Sequence, residues 1–248
     1  MNVKTFTLGP LQTSCYLIYP ERNSNNNSNA IIIDAGGDPT EMINHIKNYN
    51  LIPLYLVNTH GHIDHILGNP QIKKAFPEIK ICIHPADAPM LLESKYNLST
   101  ELGFKFSSPE PDKLLNENDI ISMPAERSKN EKSAYQLKVI HLPGHTKGGI
   151  GLFYKPTDNS RARPAGIPAG SMQDVRKQGK NNEPLLFSGD AIFAGSIGRT
   201  DFPGGSHSEL VNNIRKKIFV LPENTIIYPG HGPATTVGDE KQFNPFFN

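Results

Sequence analysis

The 248-residue chain reads as an α/β or α+β protein with two packed sheets, on three observations. Short β-branched runs recur along it, and segments of helical periodicity lie between them. Glycine and proline, 21 each, make up roughly a sixth of the residues against about 12% on average. Interleaved strands and helices point to layered packing. The excess of turn residues argues against a helical bundle or a coiled coil. The length suits one large domain or two small ones.

Strands are predicted over residues 30–34, 54–59, 79–84, 137–141, 150–154, 185–189 and 225–229, each brief and bounded by turn residues. A helix is predicted after Asp38, with Pro39 at its first position, Glu41 at its third, and Ile43, Ile46 and Tyr49 on one face. A second helix repeats Leu210, Ile214, Ile218 and Leu221 until Pro222 stops it. Two stretches lack such patterns. Residues 23–29 are an Asn/Ser run that reads as an expanded hairpin loop. Residues 156–184 carry Arg161, Arg163, Arg176, Lys177 and Lys180 with little apolar content. They read as a surface insertion, with a lid over a nearby site as the alternative.

A net charge of +1 gives no hint of a nucleic-acid or anionic-membrane partner. No apolar run approaches the roughly 18 residues a membrane span needs, and residues 1–10 lack the pattern of a secretory signal. Cys15 and Cys82 are far apart and form no Cys-x-x-Cys spacing, which suits a reducing cytoplasm rather than a disulfide scaffold.

Nine histidines are the unusual feature. His60, His62, Asp64 and His65 put four ligand-type side chains within six residues after an apolar run. An extended strand end aims residues i and i+2 to one side, so His60 and His62 can converge, while Asp64 and His65 face the same cavity from the start of a short helix. His145, Asp190 and His231 each follow a strand and a glycine (Gly144, Gly189, Gly230), which permits a sharp turn at a sheet edge. Seven such groups exceed what one tetrahedral ion needs, so two metals are inferred. His84 and His141 read as strand residues with an option of supporting the site. His45 and His207 read as solvated.

The ordered set His60-x-His62-x-Asp64-His65, His145, Asp190 and His231 resembles the metallo-β-lactamase superfamily over nearly the whole chain. Five further segments are similar to its glyoxalase II-like hydrolases: Gly9-Pro10-Leu11-Gln12, Pro143-Gly144-His145-Thr146, Ser188-Gly189-Asp190, Gly198-Arg199-Thr200-Asp201-Phe202 and Pro229-Gly230-His231-Gly232-Pro233, the last with Asn244-Pro245-Phe246 beyond it. The resemblance implies an αββα four-layer sandwich and a single domain over residues 1–248, with insertions at 23–29 and 156–184. It also implies that His60, His62 and His145 hold one divalent ion, that Asp64, His65 and His231 hold another, and that Asp190 bridges them. Zinc comes first for this donor set, and iron or manganese also fit. Asp64 and Asp190 then position a bridging hydroxide that attacks a carbonyl. The implied substrate is a small thioester of the S-2-hydroxyacylglutathione type, whose thiolate leaves without strong protonation.

The match departs from the glyoxalase II pattern in two places. Only 17 residues follow His231, too few for the helical domain that helps those enzymes hold glutathione. Arg199 keeps a cation where they carry a lysine, while Asp201 replaces their tyrosine. Arg199 therefore reads either as a substrate contact or as the partner of Asp201 in a salt bridge. One rival activity shares the ligands: a mononuclear iron persulfide dioxygenase using His60, His145 and Asp190. Those enzymes tend to read His-Asp-Tyr where this chain has His231-Gly232-Pro233. A β-lactamase and an RNA-processing nuclease rank lower, the first for want of a signal sequence and the second for want of a basic arm.

Overall fold

A computed structural model describes residues 1–20, 28–124, 134–156 and 183–247. One sheet holds β1 (Asn2–Leu8), β2 (Thr13–Tyr19), β3 (Ser28–Ile33), β4 (Leu51–Val57), β5 (Lys80–Ile83) and β6 (Lys113–Leu114), side by side in chain order. Its first three strands are antiparallel, and β3 to β6 run parallel. The second sheet contains β7 (Ile120–Pro124), β8 (Ala134–His141), β9 (Ile150–Tyr154), β10 (Leu185–Gly189), β13 (Ile226–Pro229) and β14 (Thr235–Thr236), adjacent in that order. A separate hairpin is made by β11 (Ile192–Phe193) and β12 (Ser196–Ile197).

Strand alternation sorts the apolar residues into three layers. Tyr16, Ile18, Ile31, Ile33, Val57 and Cys82 of the first sheet pack with Leu137, Val139, Leu152, Phe187 and Ile226 of the second. Their neighbours in sequence, Cys15, Leu17, Ile32, Ile81 and Ile83, face outward. They meet helices α1 (Thr40–Asn48), α2 (Ile63–Ile66), α3 (Asn69–Ala75) and α4 (Ala88–Leu92) through Met42, Ile46, Ile66, Ile72 and Leu91. On the far face of the second sheet, Ile140, Leu186 and Ile227 pack against α5 (His207–Asn213) and α6 (Val237–Phe243) through Leu210 and Val237. The result is helix, sheet, sheet, helix, the sandwich expected from the resemblance.

Several boundaries differ from expectation. Strand β4 spans Leu51–Val57 rather than 54–59. Pro53 is tolerated there because the β3 register shifts beside it and pairing with β5 begins only at Tyr55. Pro39 is the N-cap of α1 and not its first residue; the Asp38 carboxylate accepts the Thr40 amide instead. The buried face of α1 is Met42, Ile43 and Ile46, while Tyr49 lies past its end and stacks on His45. His45 is thus half-buried among Phe6, Tyr19 and Tyr49 rather than solvated. The second helix widens into a π turn at Ile214–Ile218, closed by Phe219 N–H to Ile214 O. Its four-residue apolar repeat lies between the 3.6 of an α-helix and the wider π geometry.

Ser28 and Asn29, expected in the loop, belong to β3 and pair with Leu51 and Ile52 of β4. The rest of the 23–29 stretch and residues 157–182, with Arg161, Arg163, Arg176, Lys177 and Lys180, lie outside the described residues. Among the described residues, no helix is long and apolar enough to cross a membrane.

Candidate metal centre

The seven sequence-selected residues converge where both sheets end. After β4 the chain leaves the strand, so His60 and His62 sit in a loop and not on a strand end, their rings 4.8 Å apart. Helix α2 then presents Asp64 and His65. His145 follows Gly144, whose φ of +133° suits glycine, and Asp190 follows Gly189 at φ +50°. Gly230 serves differently. A Cβ there would strike Asp190 Oδ1 and lie 2.8 Å from His65 Cε1, so this glycine leaves room for the side chains before His231.

Three overlapping groups place their donor atoms within 4.8 Å of one another: His60, His62 and His145; His60, His65 and Asp190; and Asp64, His65 and His231. His65 Nε2 lies 3.5 Å from Asp64 Oδ2 and 3.4 Å from Asp190 Oδ1. Asp190 Oδ2 lies 3.6 Å from His145 Nε2 and 3.5 Å from His231 Nε2. Two donors on a tetrahedral ion with bonds of about 2.1 Å stand roughly 3.4 Å apart, and these spacings match. Among the described residues, the buried atoms His60 Nε2, His65 Nε2 and Asp190 Oδ1 have no hydrogen-bond partner. Leaving such atoms unpaired is costly, and a cation satisfies all three.

Electrostatics divides the site. Burial, then the neighbouring His65, push His60 far below the usual imidazole range, and burial with His145 takes His62 down to about 3. Both rings are neutral and offer lone pairs. Burial opposes charge on Asp64 and Asp190, but His65 beside each holds them below the usual carboxylate range. Burial likewise opposes a proton on His65, yet Asp64, Asp190 and Asp34 raise it well above its ordinary value. The place demands positive charge.

The remaining ring nitrogens of His60, His65, His145 and His231 are fixed from outside, as metal-binding histidines require. Thr59 Oγ1 is 3.2 Å from His60 Nδ1, Asp34 Oδ2 is 2.8 Å from His65 Nδ1, and Arg199 O is 2.6 Å from His145 Nδ1. Leu11 O lies 3.1 Å from His231 Nδ1. No supporting role for Asp34, Thr59 or the Leu11 carbonyl is legible in the sequence; a lone acid just after a strand carries no ligand spacing. Arg199 points outward as a bidentate partner of Asp201, at 2.7 and 3.0 Å, with its guanidinium 4.2 Å over the Phe202 ring. The salt-bridge alternative is the one observed. His84 and His141 stack on each other at 4.0 Å, and His141 Nε2 is 2.9 Å from Lys147 O. His207 is exposed at the start of α5.

A profile described as the metallo-beta-lactamase superfamily matches residues 8–158. The hydroxyacylglutathione hydrolase GloC of Haemophilus influenzae is 31% identical over 250 residues, covering 100% of this chain and 99% of that protein. The crystal structure of the BLEG-1 B3 metallo-beta-lactamase superposes with a TM-score of 0.78 at 32% identity over 99% of each chain. That of TTHA1623 in a di-iron-bound form gives 0.71 at 28% identity, over 98% of this chain and 100% of that one. The chain belongs to the metallo-beta-lactamase superfamily.

Proposed function

We propose that the protein is a binuclear metal-dependent hydrolase cleaving a small thioester of the S-2-hydroxyacylglutathione type. The observation that carries this reading is Asp190, whose two oxygens face His65 and His231 of one donor group and His145 of the other. His60, His62 and His145 would hold one cation and Asp64, His65 and His231 the second. Zinc is the first choice, and iron or manganese suit the same donors. A bound pair of such ions supplies Lewis acidity and lowers the pKa of water.

The chain's own contribution is to keep His60 and His62 neutral and its carboxylates ionised, and to orient the rings of His60, His65, His145 and His231 before substrate arrives. Asp64, which accepts from Thr13 Oγ1 at 3.3 Å, and Asp190 present the carboxylate oxygens that would hold the cations and position the attacking water. Phe202 and Phe193 stand edge-on to His62 and His231, at 5.4 and 6.1 Å between ring centroids, giving the approach an apolar border. Arg199 gives two of its five N–H donors to Asp201, so a substrate anion would compete with that carboxylate for the guanidinium. The name of the full-length Haemophilus relative supports the thioester class, and the two buried free cysteines support a reducing, cytoplasmic setting.

The test is thiol release from S-lactoylglutathione by the purified, metal-loaded protein. His60→Ala and Asp190→Ala are expected to abolish it and to remove much of the metal; full activity in either variant contradicts the reading. A second reading, β-lactam hydrolysis, is favoured by the likeness to the B3 enzyme at 32% identity. A chromogenic cephalosporin in the same assay separates the two.

A further inference from the structure

Asp87 is buried, 1% exposed, in the turn before α4. It occupies the N-cap position of that helix, where an aspartate ordinarily accepts an amide of the first turn. Here the carboxylate makes no such bond. It reaches across the molecule instead. Its Oδ2 accepts from the Gly61 amide at 3.3 Å and from Thr146 Oγ1 at 2.7 Å, and its Oδ1 accepts from the Gly148 amide at 2.6 Å.

Those donors belong to two loops on different sheets. Gly61 separates His60 from His62 beyond β4, whereas Thr146 and Gly148 follow His145 beyond β8. A Cβ on Gly148 would lie 2.7 Å from the Asp87 Cγ, and one on Gly61 would strike Met90 in α4. Both glycines therefore admit the approach. The rings brought together by it are His62 and His145, with Nδ1 and Nε2 2.9 Å apart. The other donor group has separate supports: Asp34 for His65, Thr13 for Asp64 and the Leu11 carbonyl for His231.

We infer that Asp87 is a positioning residue that ties the His60–His62 loop to the His145 loop and sets metal affinity at that group alone. A buried carboxylate is retained when charge-assisted hydrogen bonds replace its water, and three donors do so here. The inference rests on the two-cation reading above.

The experiment is a Co(II) titration of the metal-depleted full-length protein, followed by its visible spectrum, for wild type, Asp87→Asn and Thr146→Val. Thermal unfolding of each metal-free variant checks that it folds; Thr146→Val removes one donor if Asp87→Asn does not fold. Wild type is expected to take up two ions. The variants are expected to weaken one binding event by about 10- to 100-fold, the range for groups that orient a ligand, and to leave the other unchanged. In a His231→Ala background Asp87→Asn should weaken the remaining event; in a His62→Ala background it should not. Equal weakening of both events, or wild-type affinity at both, overturns the assignment while leaving the two-cation reading intact. A wild-type protein that takes up no Co(II) overturns both.

Discussion

The Nδ1 nitrogen of His65 lies 2.8 Å from Oδ2 of Asp34, with both side chains buried. Asp34 reaches that position in a left-handed backbone conformation, φ +59°, which is uncommon for a residue other than glycine. Its carboxylate also accepts from the Thr59 amide and hydroxyl, each at 2.8 Å. One acid thus sets the His65 ring and the loop that begins the His60–His62 segment. Asp34→Ala is expected to lower metal affinity or kcat/KM by about 10- to 100-fold. Metal content and steady-state kinetics check this, and wild-type values for both contradict it.

Gly230→Ala tests the crowding behind Asp190. The added methyl would strike Asp190 Oδ1, so the carboxylate must turn away from the donors it faces. Thioesterase activity and metal content should fall together. Overpacking of this kind costs about 1–3 kcal/mol, which a thermal melt of the metal-free protein reads. A fully active, fully loaded variant contradicts this account of the glycine.

Most of the centre was legible in sequence because its residues are chemically distinctive and closely spaced: His60, His62, Asp64 and His65 sit within six positions. Their supports were not. Asp34 and Asp87 act across 31 and 61 residues of chain, on His65 and Gly148, and nothing local marks them. Strands β3, β4, β5, β8, β9, β10 and β13 are legible through their β-branched runs, whereas β6, β11, β12 and β14 are two residues each, too short for any period. The β1–β2 hairpin was missed as well, since β1 buries only Phe6 and Leu8 while all of β2 is buried, leaving no clean alternation across the pair.

The exposed Arg199–Asp201 pair predicts an asymmetry between its two members. Asp201→Ala frees a guanidinium beside the centre and should lower KM for an anionic thioester, while Arg199→Ala should change it little. Thermal stability should stay close to wild type in both, as for other solvent-exposed pairs. Steady-state kinetics of both variants check this, and a large rise in KM for Arg199→Ala contradicts it.

Burial pushes the thiols of Cys15 and Cys82 up to about 12. Thiolate is the reactive form, so neither cysteine should react with a disulfide reagent in the native protein at neutral pH. Both should titrate on denaturation. Rapid native labelling of either contradicts the packing described.

Burial, and then the stacked His141, lower His84 to about 4, against about 6.5 in an unfolded chain. Between those values the unfolded chain binds more protons, so this group's contribution to stability falls as pH drops from about 6.5 toward 4. His84→Phe keeps a ring on His141 and removes that titration. Melting temperatures across this range, at saturating metal, should fall less steeply in the variant than in wild type. Equal slopes contradict the assignment.

Elemental analysis of the purified protein, alongside parallel assays of S-lactoylglutathione cleavage and glutathione-persulfide-dependent oxygen uptake, decides whether two cations serve hydrolysis. About two metal ions per chain, thiol release and no oxygen consumption are expected. One iron per chain with oxygen uptake and no thioester cleavage would contradict it.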